Sequence, residues 1–183
     1  MKKIKLLSIV LFFVSTLFAQ NNKYFTRNAT ITFVSAAPME KISSKNSQVN
    51  CILNTQTNDL AFKVVVKSFE FEKQAMADHF NDDYLQSDKF PNATFEGKIT
   101  NTIDYTKNGK YDIFVDGKLT IHGVTKALKQ KGTIEVKDGK IMAKSTFSIL
   151  LSDYAVTVPN DYLKKISNTV DLKIDAVMTP YVR

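Results

Sequence analysis

Any catalysis or metal binding in this chain would have to start from two histidines and one cysteine. His79 and Asp83 are four residues apart, so on a helix they share a face, with Asp78 and Asp82 close by. One imidazole among flexible carboxylates is a poor transition-metal site, which ordinarily needs further nitrogen or sulfur ligands. His122 lies in LTIHGVTK (119–126), where Gly123 supplies the positive φ that a tight turn wants. No carboxylate lies within a helical turn of it, so it reads as a turn residue. Cys51 alternates with Val49 and Leu53, the pattern of a small buried apolar residue, and a lone cysteine excludes an intramolecular disulfide. The chain has no Gly-x-Ser-x-Gly elbow, no phosphate-cradling glycine loop and no His-Glu-x-x-His. We therefore expect no catalytic residue, no metal site and no cofactor, and a binding protein ahead of an enzyme.

The elements around these residues are dominated by period two, the mark of half-buried strands. In Tyr111–Ile121, Tyr111, Ile113, Val115, Leu119 and Ile121 share one face, against Asp112, Asp116, Lys118 and Thr120 on the other. Asn168–Met178, Ala93–Tyr105 and Ile141–Leu151 repeat the pattern. Shorter alternations run through Phe25–Phe33, Val49–Leu53, Leu60–Val66 and Leu128–Val136. After Val66 the parity slips to Phe69 and Phe71, as a bulge near Ser68 would produce. Turn chemistry at Thr57-Asn58-Asp59, Lys107-Asn108-Gly109, His122-Gly123 and Lys137-Asp138-Gly139 separates eight strands. Eight antiparallel strands can close into a barrel, which removes exposed edges, although a two-sheet sandwich gives the same alternation.

One segment breaks the rhythm. Between strands 3 and 4, Met76, Phe80 and Tyr84 recur every four residues, predicting a helix over Lys73–Gln86 that Pro91 follows. That helix covers either an opening of the barrel or simply its surface. A second short helix or loop is expected at Asn160–Ile166.

The N-terminus MKKIKLLSIVLFFVSTLFAQ has the basic start, apolar run and small Ala19 of a cleavable signal. We expect residues 1–19 to be a signal peptide and 20–183 one exported domain, periplasmic or secreted. No later apolar run approaches membrane length, so no stable membrane insertion of the mature chain is expected. Removing three lysines reduces the formal charge from +7 to about +4, with 22 basic against 18 acidic residues remaining. With two arginines in all, Arg27 and Arg183, nothing resembles a nucleic-acid stripe. Thirteen Phe, no Trp and many inward Val, Ile and Leu suit either a filled barrel or one holding a slender apolar ligand.

Three stretches in order, HFNDDYLQSDKFPNATFEGKI (79–99), DGKLTIHGVTKALKQKGTIEV (116–136) and FSILLSDYAVTVP (147–159), resemble the YceI-like, polyisoprenoid-binding family over most of residues 24–178. The resemblance implies an all-β, eight-stranded antiparallel lipocalin-like barrel with the helical insert between strands 3 and 4. It implies a carrier of a long-chain isoprenoid or other amphiphile, with an isoprenoid or fatty-acyl lipid as its bound partner. Carried over by position, Met76, His79, Phe80 and Tyr84 would lie along the ligand's path. Phe95, Ile113, Val115, Leu119, Phe147 and Ile149 would line the bore, joined by Phe33, Leu60, Phe62, Val64 and Leu172 of the same inward faces. Many relatives have an Arg-Asp pair where Met76 and Ala77 stand here, so a headgroup contact through that pair is not expected. A ligand-free barrel serving as a stress-related or protein-interaction module is the alternative. The oligomeric state is left open, a homodimer among the options.

Overall fold

Strands whose apolar residues all fall on one face must bury that face, and here they do so by closing on themselves. A computed structural model describes residues 22–181. The signal peptide expected over 1–19 lies outside the described residues. Eight strands run β1 (Lys23–Ala36), β2 (Lys41–Asn54), β3 (Asp59–Val65), β4 (Asn92–Ile99), β5 (Gly109–Ile121), β6 (Val124–Lys137), β7 (Lys140–Leu150) and β8 (Thr169–Pro180). Each pairs antiparallel with the next, and β8 returns to β1, giving a closed barrel. The sandwich is thereby excluded. Inward residues form the core: Ala29, Val49, Cys51, Leu53, Ile134, Ile141, Ala176 and Met178 have no exposed surface.

Tight turns fall where the sequence places them. His122 and Gly123 have φ of 49° and 75°, and Asp138 and Gly139 have 51° and 73°. Two successive left-handed residues suit the type I′ hairpin, whose twist matches the strands it joins. The sequence reading assigned positive φ to Gly123; the histidine shares it.

Three boundaries differ from expectation. The fourth strand ends at Ile99 and not at Tyr105. The Asn101 side chain replaces the ladder there, donating to the Asp112 carbonyl and accepting from the Phe114 N–H. Ile103 is nonetheless buried, inserted from the loop. After β3 the chain makes a 3-10 turn, Val66–Ser68, in place of a bulge. The insert is a short α-helix, α1 (Gln74–His79), continued by π-type winding over Phe80–Tyr84, where the Leu85 N–H donates to the Phe80 carbonyl at 2.9 Å. Near Asn160 the second helical piece is a single 3-10 turn, Asn160–Tyr162. No helix among the described residues is long and apolar enough to cross a membrane.

The strand directions give the barrel two unlike ends. One carries the β2–β3 and β6–β7 hairpins and the loop 100–108. The other carries the β1–β2 hairpin, the helical insert, the His122-Gly123 turn and the long segment 151–168.

Candidate functional site

At this second end the inward side chains do not meet. They surround a cavity of about 650 Å³ that opens toward the insert. Its walls come from every strand but β2's middle: Phe33 of β1, Leu60, Phe62 and Val64 of β3, Phe95 of β4, and Ile113, Val115 and Leu119 of β5. Phe147 and Ile149 of β7 and Leu172 of β8 complete the ring. Met76, His79, Phe80 and Tyr84 cover it from the insert. All fifteen residues singled out in the sequence are thus brought around one space.

Two devices keep that space open. Gly97 and Gly117 are cross-strand partners on the inward face, and the Phe95 ring lies over both. A Cβ on Gly97 would approach Phe95 Cζ to 2.5 Å, and one on Gly117 would approach it to 2.7 Å. The bulky ring can lie flat against the wall because the wall has no side chains beneath it. The second device is a parting of strands. β6 and β7 pair only from Thr133↔Lys144 to Lys137↔Lys140, whereas β5 and β6 pair along their full length. Beyond that point Tyr154 and Val156 pack against Leu119, with Leu128, Phe147 and Ile149 around them.

The insert is held by rings. Phe80 stacks on Phe33 at 5.5 Å and meets Phe69 at 5.5 Å and Phe71 at 5.0 Å. Such offset and edge contacts add to the area each ring buries. Phe69 and Phe71 were visible in the sequence as an apolar pair of shifted parity, but nothing in that pattern told where the turn at Val66–Ser68 would aim them. Ile42, Gln130, Tyr162 and Ile166 also line the cavity and were not foreseen as lining residues.

Polar groups gather at the opening: Glu40, His79, Asp83, Tyr162 and Lys165. His79 Nδ1 and Asp83 Oδ2 are 2.7 Å apart, with side chains 69% and 63% exposed. At that exposure the ion pair contributes little to stability. Asp78 is engaged elsewhere, accepting from Gln74 Nε2. Among the described residues no three His, Cys, Asp or Glu side chains come together as metal ligands would. Burial, and then the Asp83 carboxylate, hold the Tyr84 hydroxyl above its ordinary pKa, so it remains a neutral donor at the rim. Cys51 is remote from the cavity, against Met178 Sδ at 3.4 Å, and burial pushes its thiol pKa up, so it carries no nucleophilic thiolate.

His122 has a structural place. Its Nδ1–H donates to the Tyr154 carbonyl at 3.3 Å, and the Phe90 ring packs edge-on against it at 4.6 Å. Its Nε2 is buried and has no hydrogen-bond partner among the described residues. The Lys-Phe-Pro, His-Gly and Asp-Tyr stretches, far apart in sequence, therefore meet through Phe90, His122 and Tyr154 at the cavity end. A shared contact thus joins these three stretches.

A family model for the YceI-like domain matches residues 12–178. The chain belongs to the YceI-like family. No curated protein sequence matches it. Among solved structures it is similar to a polyisoprenoid-binding domain from Saccharophagus degradans implicated in plant cell wall breakdown, with TM-score 0.75 and 13% identity over 88% of this chain and 100% of that one. BcnA of Burkholderia cenocepacia gives TM-score 0.66 and 16% identity, covering 82% of this chain and 96% of its own. A Campylobacter jejuni YceI protein gives TM-score 0.54 and 20% identity, with 97% of both chains covered. At these identities the likeness speaks for the YceI barrel alone.

Proposed function

We propose that this YceI-like protein is an exported carrier that holds a long-chain isoprenoid or related amphiphilic lipid in the open half of its barrel. The cavity is the observation that supports this reading most. About 650 Å³ of apolar-walled space falls within the roughly 300–1,000 Å³ of small-molecule sites. Each methylene buried there is worth about 0.8 kcal/mol, offset by the cost of ordering and association. A chain of a dozen or more carbons can thus be held without a strong polar anchor, which matters in a sequence lacking the Arg-Asp pair of many relatives. The description of the Saccharophagus domain as polyisoprenoid-binding favours the same ligand class. The basic start and apolar run of residues 1–19 favour export to the periplasm or beyond.

A barrel with no small-molecule ligand would have side chains meeting across its axis throughout. That holds for one end of this molecule and fails for the other, which counts against the interaction-module reading.

The test is native mass spectrometry after gentle purification, paired with uptake of a fluorescent prenyl or acyl probe. A co-purifying lipid or saturable uptake is expected, and Val115→Trp, which fills the bore from β5, should reduce uptake at least tenfold. A protein that always purifies empty and takes up neither probe overturns the proposal. N-terminal sequencing of the exported protein should begin at Gln20.

A further inference from the structure

Between its polar rim and its floor the cavity wall is mostly apolar, and Gln130 and Ser145 interrupt it. Gln130 lies on the inward-facing parity of β6, shared by Leu128, Gly132 and Ile134, and lines the cavity. Its β5 partner is Val115, and the next inward pair toward the closed end is Ile113 with Gly132. The amide is therefore deep in the bore, away from His79, Asp83 and Lys165 at the mouth. It makes no hydrogen bond with any described residue, although a primary amide offers two donors and an acceptor. The neighbouring inward polar group, Ser145, is already engaged, its hydroxyl donating to the Lys131 carbonyl at 2.7 Å across the parting of β6 and β7. The ladder between those strands has ended just before this level, at Thr133↔Lys144, so no strand pairing with β7 holds Gln130 in place.

Half-buried on the cavity wall and without a protein partner, this amide is free to bond a ligand or water there. We propose that the bore receives a lipid carrying a neutral oxygen, a hydroxyl or carbonyl, part-way along its buried length, and that Gln130 is the residue that recognises it. This rests on the lipid-carrier reading and adds to it a chemical class: a chain functionalised at depth, beyond any headgroup at the mouth. Hydrocarbon walls alone would disfavour such a chain, since burying an unpaired hydroxyl costs free energy. Preference for it is therefore diagnostic.

The test is displacement of a fluorescent acyl probe from the full-length mature protein by octadecanoate and by 12-hydroxyoctadecanoate. The wild type is expected to bind the hydroxylated chain several-fold more tightly, and Gln130→Met should reduce the ratio of the two affinities by about tenfold. A wild type that favours the plain chain overturns the inference without needing any variant to fold. A preference that survives Gln130→Met in a folded protein removes Gln130 from the role. Failure of both chains to bind overturns the carrier reading itself, and this inference with it.

Discussion

The two ends of the barrel are built from the same alternating strands, yet one is solid and the other hollow. At the closed end Leu53, Ile99, Ile134, Ile141 and Met178 are at most 1% exposed and fill the axis. The loop 100–108 helps, sending Ile103 into the core and packing Tyr105 against it. At the open end the inward positions include Gly97, Gly117 and Gly132, and the β6–β7 ladder has parted. The covering elements there, α1 and the 151–158 segment, lie over the space without filling it. Inward alternation decides which face is buried; side-chain volume and ladder continuity decide whether burial leaves room.

This contrast predicts opposite responses to mutation. Ile134→Ala at the closed end should cost about 2–5 kcal/mol, the range for deleting a fully buried aliphatic side chain that cannot be replaced by collapse. A urea or guanidinium midpoint reads it, and probe uptake per folded molecule should stay within about twofold of wild type. Equal damage to uptake would show that the two halves are not separable.

Gly117→Ala ought to cost less, about 1–3 kcal/mol, by overpacking. The new methyl would fall 2.5 Å from the Glu96 carbonyl oxygen and 2.7 Å from the Phe95 ring. Backbone cannot yield as easily as a ring, so both the wall and Phe95 must move, Phe95 into the cavity. Uptake of a bulky prenyl probe should therefore fall more than uptake of a thin acyl probe. Phe80→Ala should cost less stability again, since its ring is only partly buried, but should raise the rate at which a bound probe escapes, because it removes the partner of Phe33, Phe69 and Phe71.

The sequence carried the strands and their inward faces because period two is a local signal, and closure follows from eight such strands with short hairpins. The strand residues among the candidates were legible for the same reason, whereas Met76, His79, Phe80 and Tyr84 came from the four-residue spacing of the insert and from the family resemblance. Gln130 was not legible, because a single polar residue on an apolar face carries no periodic signature and its freedom from partners is a three-dimensional fact. The early end of β4 was hidden too. Asn101 competes with the ladder by side-chain hydrogen bonds, while Ile103 and Tyr105 continue the alternation as if the strand went on. The meeting of Phe90, His122 and Tyr154 depends on three segments that only closure brings to one end.

The smallest expected effect separates the ends by pH. Tyr105, at the closed end, donates its hydroxyl to Asn58 Oδ1 at 3.0 Å, and burial pushes its pKa to about 12 from an ordinary 10.0. A folded-state pKa raised above the unfolded one means the native state holds its proton more tightly. Stability from this group is therefore fully present below about pH 10 and is lost as pH rises toward 12. The phenolate could no longer donate to Asn58, so the plug of the closed end should loosen first. Tyr105→Phe should lower stability at neutral pH by about 1 kcal/mol through the lost hydrogen bond. It should also flatten the alkaline limb, so that variant and wild type converge between pH 10 and 12 in chemical denaturation. Parallel curves for the two proteins across that window would assign the alkaline loss to other groups, Tyr84 at the open rim being the next to remove.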